Sequence, residues 1–228
     1  MQKLFGADPL AGGNHSWYKG AIGEIAVGRV LTSLGTEWTL LHAVPVGYKE
    51  ADIDHVLIGP AGVFTINTKN HSGQSVWVAG QVLMVSGQKK PHLRNAEFEA
   101  RRTANLLGRK VRGSVPVTAV IVIRDPKTLT IRERPIGAIV LSDRQLVQWL
   151  KSRPTVLNPH QVQLLVAAAV EPETWHSAPR QSKDPAVLHS AFVSLQKSVN
   201  RAKAIRAAWV LTAMLMLPLV VFPGLLGR

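Results

Sequence analysis

"DIDHVLIGPAGVFTINTK", residues 52–69, decides how the rest of the chain is read. Two apolar runs flank Gly59-Pro60-Ala61-Gly62, and a short Gly/Pro cluster between β-branched segments signals a hairpin. Side chains alternate between the faces of a strand, so Val63, Thr65, Asn67 and Lys69 share one face of the second strand. In simple register Ile58 opposes Val63, Val56 opposes Thr65 and Asp54 opposes Asn67, with Asp52 and Lys69 the next pair outward. Directly opposed residues hold their Cβ atoms about 4.5–5.5 Å apart. Asp54, Asn67 and Lys69 therefore converge, with Asp52 at the margin. Such a group is either a solvated strand end or the floor of an active site, and a slip of one residue would scatter it.

The neighbouring segments place this hairpin in a mixed domain. Residues 16–35 read as a helix, with Val27, Val30, Leu31 and Leu34 at helical spacing and Gly35 at the end. WTLLHAVPV (38–46) reads as a first strand, and SVWVAG with VLMVSG as a second hairpin. A charged helix covers 93–112, PVTAVIVI (116–123) and IGAIVL (136–141) suit central strands, and helices follow near 142–152 and 158–170. Strands, then a helix, then strands, then helices predict an α/β or α+β domain over 15–178 after a loose, Gly-rich 1–14. Residues 179–206 read as a linker and a basic juxtamembrane helix.

Composition bounds the function. The net charge is +13 and the pI about 10.6, which favours polyanionic partners, either nucleic acid or an anionic membrane face. There is no cysteine, which excludes disulfides and thiolate chemistry. The N-terminus has no apolar run long enough for a signal-peptide core. At the other end, AAWVLTAMLMLPLVVFPGLLG (207–227) is uncharged and of the length needed to span a bilayer, with Trp209 near one boundary. Lys197, Arg201, Lys203 and Arg206 precede it, so the positive-inside rule predicts a single-pass anchor in the cell membrane with the domain cytoplasmic. The alternative reading of this stretch is a buried C-terminal helix.

Glu24 adds a carboxylate to the hairpin group. It lies three residues before Val27 and seven before Leu31, at the edge of the core-facing stripe, where an acid is costly unless paired or metal-bound. Acid early in a helix also has a purely structural explanation in the helix dipole. Carboxylates, an amide oxygen and a lysine suit a hard cation such as Mg²⁺ or Mn²⁺. Such an ion activates water and polarises a phosphodiester, while Lys69 positions that water or stabilises developing charge.

GAIGE (20–24), DIDHVLIGP (52–60) and GVFTINTKNHSG (62–73) together resemble the NERD domain, the nuclease-related domain of the PD-(D/E)xK superfamily. The resemblance runs over roughly residues 16–130, and weakly to EPETW at 171–175. It implies a restriction-endonuclease-like fold, a mixed sheet flanked by helices, and metal-dependent cleavage of nucleic acid. It matches Glu24, Asp54 and Lys69 to the family's helix glutamate, strand aspartate and lysine. One position departs from the pattern: where the (D/E)xK element carries an acid, this chain has Asn67, an oxygen ligand without charge. Glu24, Asp54 and Asn67 are therefore the expected metal ligands, with Lys69 assisting. A non-cleaving module that binds nucleic acid or a protein is the alternative.

Further residues carry weaker signals. His55 is expected to face away and pack beneath the group. His71, Arg94 and Arg101 are candidate nucleic-acid contacts, with Lys110 and Arg112 as further phosphate contacts. Glu97, Glu99, Arg101 and Arg102 on the 93–112 helix read first as a solvated face.

Overall fold

The structure is a computed structural model that describes residues 9–10, 14–45, 52–175 and 185–221. The expected linker over 179–184 and nearly all of the expected loose N-terminus lie outside the described residues.

Residues 19–179 form one compact unit. Its centre is a five-stranded sheet in the order β1-β2-β3-β7-β9, formed by β1 (Thr39–Pro45), β2 (Asp52–Gly59), β3 (Gly62–Asn70), β7 (Val117–Arg124) and β9 (Ile139–Ser142). β1, β2 and β3 run antiparallel, while β7 and β9 join parallel to β3. The mixed α/β class is thus as the segment order predicts. IGAIVL, expected as a central strand, instead forms the sheet edge as β9. A second sheet, β6-β5-β4-β8, contains β4 (Ser75–Ala79), β5 (Val82–Val85), β6 (Gln88–Lys90) and β8 (Thr128–Glu133). β4 and β5 form the expected second hairpin, whereas β6 and β8, short or exposed, give no apolar signal.

Alternation sorts the core into layers. Leu57, Phe64, Ile66, Val120 and Val122 face α1 (His15–Leu31) and α3 (Asp143–Lys151). Val56, Ile58 and Val63 face α2 (His92–Val111) and α4 (Pro159–Val170). Ala119, Ile121 and Ile123 continue that second layer against α2 and the smaller sheet. Completely buried aliphatics such as Ile58, Ile66 and Ile121 each contribute about 1.5–3 kcal/mol. After α4, EPETW closes the layer: Trp175 is buried and donates its indole N–H to the Ala169 carbonyl at 2.8 Å. Lys110 of α2 pairs with Glu171.

A second unit gathers residues 1–18 and 180–228. Within it α5 runs from Pro185 to Val221 as a single helix, and Phe192 stacks on Tyr18 at 5.8 Å. The transmembrane helix expected over 207–227 is not upheld. Among the described residues no helix is long and apolar enough to cross a membrane. Basic residues recur along α5 up to Arg206, and of the uncharged stretch that follows only the part as far as Val221 is described. Residues 222–228 lie outside the described residues.

Candidate active site

The hairpin register is the one the sequence predicts as far as it continues, with Ile58 opposite Val63, Val56 opposite Thr65 and a last pair at His55 and Ile66. Beyond that point the ladder stops. Asp54 and Asn67 do not form a ladder pair; Asp54 Oδ2 instead accepts the backbone N–H of Thr68 at 2.6 Å. The carboxylate therefore takes the place of the missing partner strand and holds the end of β3 beside β2. Asp52 does not pair with Lys69 either: it is exposed, in register with Pro45 of β1.

Glu24 arrives from the other side of the sheet. α1 reaches the end of β3 because Gly23 is buried there, where a Cβ would lie 3.1 Å from Asn70 Cβ and 3.4 Å from Thr68 Cγ2. Asn70 Nδ2 ties the same strand end to the Lys19 carbonyl at 2.7 Å. Beneath Glu24, His55 is 2% exposed, with Nε2 3.2 Å from the Glu24 carbonyl oxygen and Nδ1 3.0 Å from His42 Nδ1. Donation from Nε2–H to that carbonyl leaves His55 Nδ1 to accept from His42. Burial, then the neighbouring His42, pushes the His55 pKa down to about 4.

Electrostatics link these groups. Burial raises the pKa of Glu24, and the Asp54 carboxylate raises it further against the lowering effect of Lys69. Burial likewise raises Asp54, opposed by Lys69 and by the Thr68 N–H. Asp52 acts on both from the margin and raises each. Glu24, Asp54 and Lys69 are thus linked electrostatically, Asp54 raising Glu24 and the Lys69 ammonium lowering both.

Asn67 is 5% exposed and turns toward α2. Its Nδ2 donates to Glu99 Oε1 at 3.0 Å and Oε2 at 2.8 Å. Its own Oδ1 is buried with no hydrogen-bond partner. Glu99 is therefore no member of a solvated face, contrary to the reading of the helix by composition. Burial raises its pKa, Asn67 and Lys69 lower it, and Asp54 raises it again. The signal that locates Glu99 is position: it follows the buried Ala96 by three and precedes the buried Thr103 by four, at the inner edge of the α2 stripe.

The basic candidates divide. His71 is half-buried, with Nδ1 3.2 Å from Gln74 Oε1 and Nε2 3.2 Å from His92 Nε2 in a stacked pair. Burial, followed by nearby lysines including Lys69, lowers His92 to about 4. Arg94 and Arg101 stand exposed on α2.

With this geometry in place, the comparisons with known proteins fall on the same segment. Residues 19–124 match the nuclease-related domain, NERD. That stretch carries Glu24, Asp54, Asn67, Lys69 and Glu99, so every acid at the site lies within the matched residues. No curated protein matches the chain. Among solved structures, the small subunit of the heterodimeric restriction endonuclease R.BspD6I is similar over 80% of this chain and 88% of that one. Its identity is 11% and its TM-score 0.26.

Among the described residues no group of three or more His, Asp or Glu side chains is drawn together tightly enough to hold a metal ion. The donor chemistry nevertheless fits a hard cation. Mg²⁺ takes one or two carboxylates and keeps several waters. Asp54 and Glu24 are carboxylates in charge excess, and the buried Asn67 Oδ1 is an oxygen lacking a donor.

Proposed function

We propose that the nuclease-related domain hydrolyses phosphodiester bonds of nucleic acid with the help of Mg²⁺ or Mn²⁺, on a restriction-endonuclease-like scaffold. What supports this reading is that Asp54 of β2 and Lys69 of β3 both act electrostatically on Glu24 of α1. Glu24, Asp54 and the Oδ1 of Asn67 would hold the cation. When bound, the cation supplies Lewis-acid polarisation of the phosphate and a more acidic water.

The chain's own residues supply the rest. Thr68 N–H keeps the Asp54 carboxylate in one orientation, and the His55 contact holds the α1 backbone at Glu24. Lys69 places a positive charge beside the carboxylates, where it orients the attacking water and offsets charge growing on the phosphoryl oxygens. Exposed Arg94 and Arg101, and His71 beside the site, meet the backbone phosphates of DNA or RNA, which fixes position without reading sequence. The overall charge of +13 favours such a partner.

Incubating the full chain with DNA and with RNA, in Mg²⁺ or Mn²⁺ and in EDTA, tests the reading. Cleavage that requires the cation and is lost in Lys69→Ala is the expected result. No cation-dependent cleavage of either polymer overturns it. Asn67, an amide where the (D/E)xK element has an acid, favours a second reading, a module that binds nucleic acid and leaves it intact. In that case binding falls steeply with salt while the polymer stays whole.

A further inference from the structure

A cleft apart from the carboxylates opens where both sheets end. β9 closes the order of the central sheet and β8 that of the smaller one, each with a ladder partner on one side only. Between these strands and α3 lies a cavity of about 540 Å³, within the roughly 300–1,000 Å³ of small-ligand sites. We propose that this cleft binds a nucleotide, with the phosphate on Arg134 and Arg153 and the base against an apolar floor. The site goes beyond the hydrolytic reading and does not depend on it, since β7 stands between β9 and the strand that carries Asn67 and Lys69.

Floor and rim differ in chemistry. Ile131, Pro135, Ile139 and Leu141 give an apolar floor, which suits the flat face of a base. The rim is made of exposed Arg134, Gln145, Gln148 and Arg153. Among the described residues no Asp or Glu lines the cavity, and neither arginine has a carboxylate partner. Two rim groups are held in place by the protein itself. The Arg153 guanidinium lies 5.0 Å from the centroid of the Trp149 ring, and Trp149 meets the buried Phe64 almost at right angles, 5.9 Å away. A ring face fixes a guanidinium while sparing its N–H donors, of which one touches Ser152 Oγ at 3.5 Å. Gln145 Oε1 accepts both the N–H and the hydroxyl of Ser142, at 3.0 and 2.9 Å, so its NH₂ is the end left to a ligand. Donors without acceptors fit an anion rich in oxygens, and guanidinium groups meet phosphate with paired hydrogen bonds. Gln148 adds an amide of the kind that matches the donor and acceptor of an adenine edge. An added peptide strand is disfavoured: Val140 and Leu141 of β9 are 6% and 5% exposed, so little of that edge is open to pair.

Adenosine monophosphate is the probe, added to the full chain in EDTA at about 0.15 M salt, where weak non-specific attraction to a basic protein is screened. NMR follows the Trp149 indole N–H and the side-chain amides of Gln145 and Gln148. These resonances are expected to shift with the nucleotide. Arg134→Ala and Arg153→Ala are each expected to weaken binding about tenfold or more, as loss of a hydrogen bond to a charged group does. Melting temperatures check that both variants are folded, and Arg134, exposed beyond β8, is the one whose removal leaves the core untouched. Inorganic phosphate, which gains nothing from the floor, is expected to bind about tenfold more weakly than the nucleotide. A 5′-phosphorylated trinucleotide then identifies the source: tighter binding than the mononucleotide assigns the cleft to a unit of a strand, weaker binding to the free nucleotide, and both keep the site. No shift of the three resonances overturns the proposal. So does affinity unchanged in both folded arginine variants, or inorganic phosphate bound as tightly as the nucleotide. Because EDTA removes any cation-dependent cleavage from the measurement, failure here leaves the hydrolytic reading standing, and failure of that reading leaves this site standing.

Discussion

The Asn67 amide of β3 donates to both carboxylate oxygens of Glu99 on α2, at 3.0 and 2.8 Å, across the buried face of the central sheet. A strand residue and a helix residue 32 positions apart thereby form one polar unit beside Asp54 and Lys69.

Excess negative charge in that unit has a consequence for stability. Glu24, Asp54 and Glu99 are all harder to ionise in the folded chain than in the unfolded one. The unfolded chain therefore releases these protons first, and the cluster costs stability as pH rises above the ordinary carboxylate values of 3.8 and 4.5. In EDTA at about pH 7.5, where all three would ordinarily be ionised, Glu24→Gln should melt above wild type, and the gap should close toward about pH 4. Adding Mg²⁺ should raise the melting temperature of wild type more than that of the variant. A variant that melts below wild type in EDTA at the higher pH contradicts the charge-excess account.

His55 titrates with the opposite sign. Its folded pKa is about 4 against an ordinary 6.5, so the unfolded chain protonates first on acidification. Its contribution is complete above 6.5 and is lost as pH falls toward about 4, by about 3 kcal/mol at about 1.36 kcal/mol per pH unit. Urea unfolding of wild type and His55→Gln across this range should show the difference between the two curves narrowing as pH drops. Parallel curves would mean that His55 is not held neutral.

Gly23 sets how closely α1 approaches β3. Gly23→Val places branched methyls where even a Cβ is already 3.1 Å from Asn70 Cβ, and α1 must shift at its Glu24 end. Overpacking of this kind costs about 1–3 kcal/mol. Cation-dependent cleavage should fall by more than the loss of folded protein explains, as comparison of activity with melting temperature would reveal. Activity that merely tracks the folded fraction would separate Gly23 from the placement of Glu24.

Gly59 is a control remote from the carboxylates. A Cβ there would come within 2.3 Å of the Trp38 ring, so Gly59→Ala must displace the indole that packs against Phe64. A loss of about 1–3 kcal/mol in urea unfolding is expected, with Mn²⁺ affinity unchanged. A loss of affinity at constant fold would show that the hairpin turn and the carboxylate end are more tightly coupled than the sheet suggests.

Much of this was legible in the chain. The 52–69 hairpin could be read because Gly59-Pro60-Ala61-Gly62 fixes the turn and strict alternation fixes the face, and its register holds from Gly59/Gly62 to His55/Ile66. The same alternation puts His55 on the face beneath the hairpin group, and His55 is buried there, 2% exposed. β6 and β8 were not readable, because a short polar strand and an exposed one have no apolar periodicity to show. The 207–227 stretch reads as a membrane span on hydropathy; no helix among the described residues is long and apolar enough to be one, and 222–228 lie outside them.

Sequence alone determined the hairpin and the mixed α/β class, since these follow from local turn chemistry and fixed periods of two and 3.6. Tertiary structure decided the rest of the site. The Asp54 carboxylate ends the ladder by taking the Thr68 N–H, and the packing of α2 on the sheet delivers Glu99 to Asn67. No periodicity encodes either contact: each depends on where a strand pair parts and which edge of a helix faces inward, and packing of the whole core sets both.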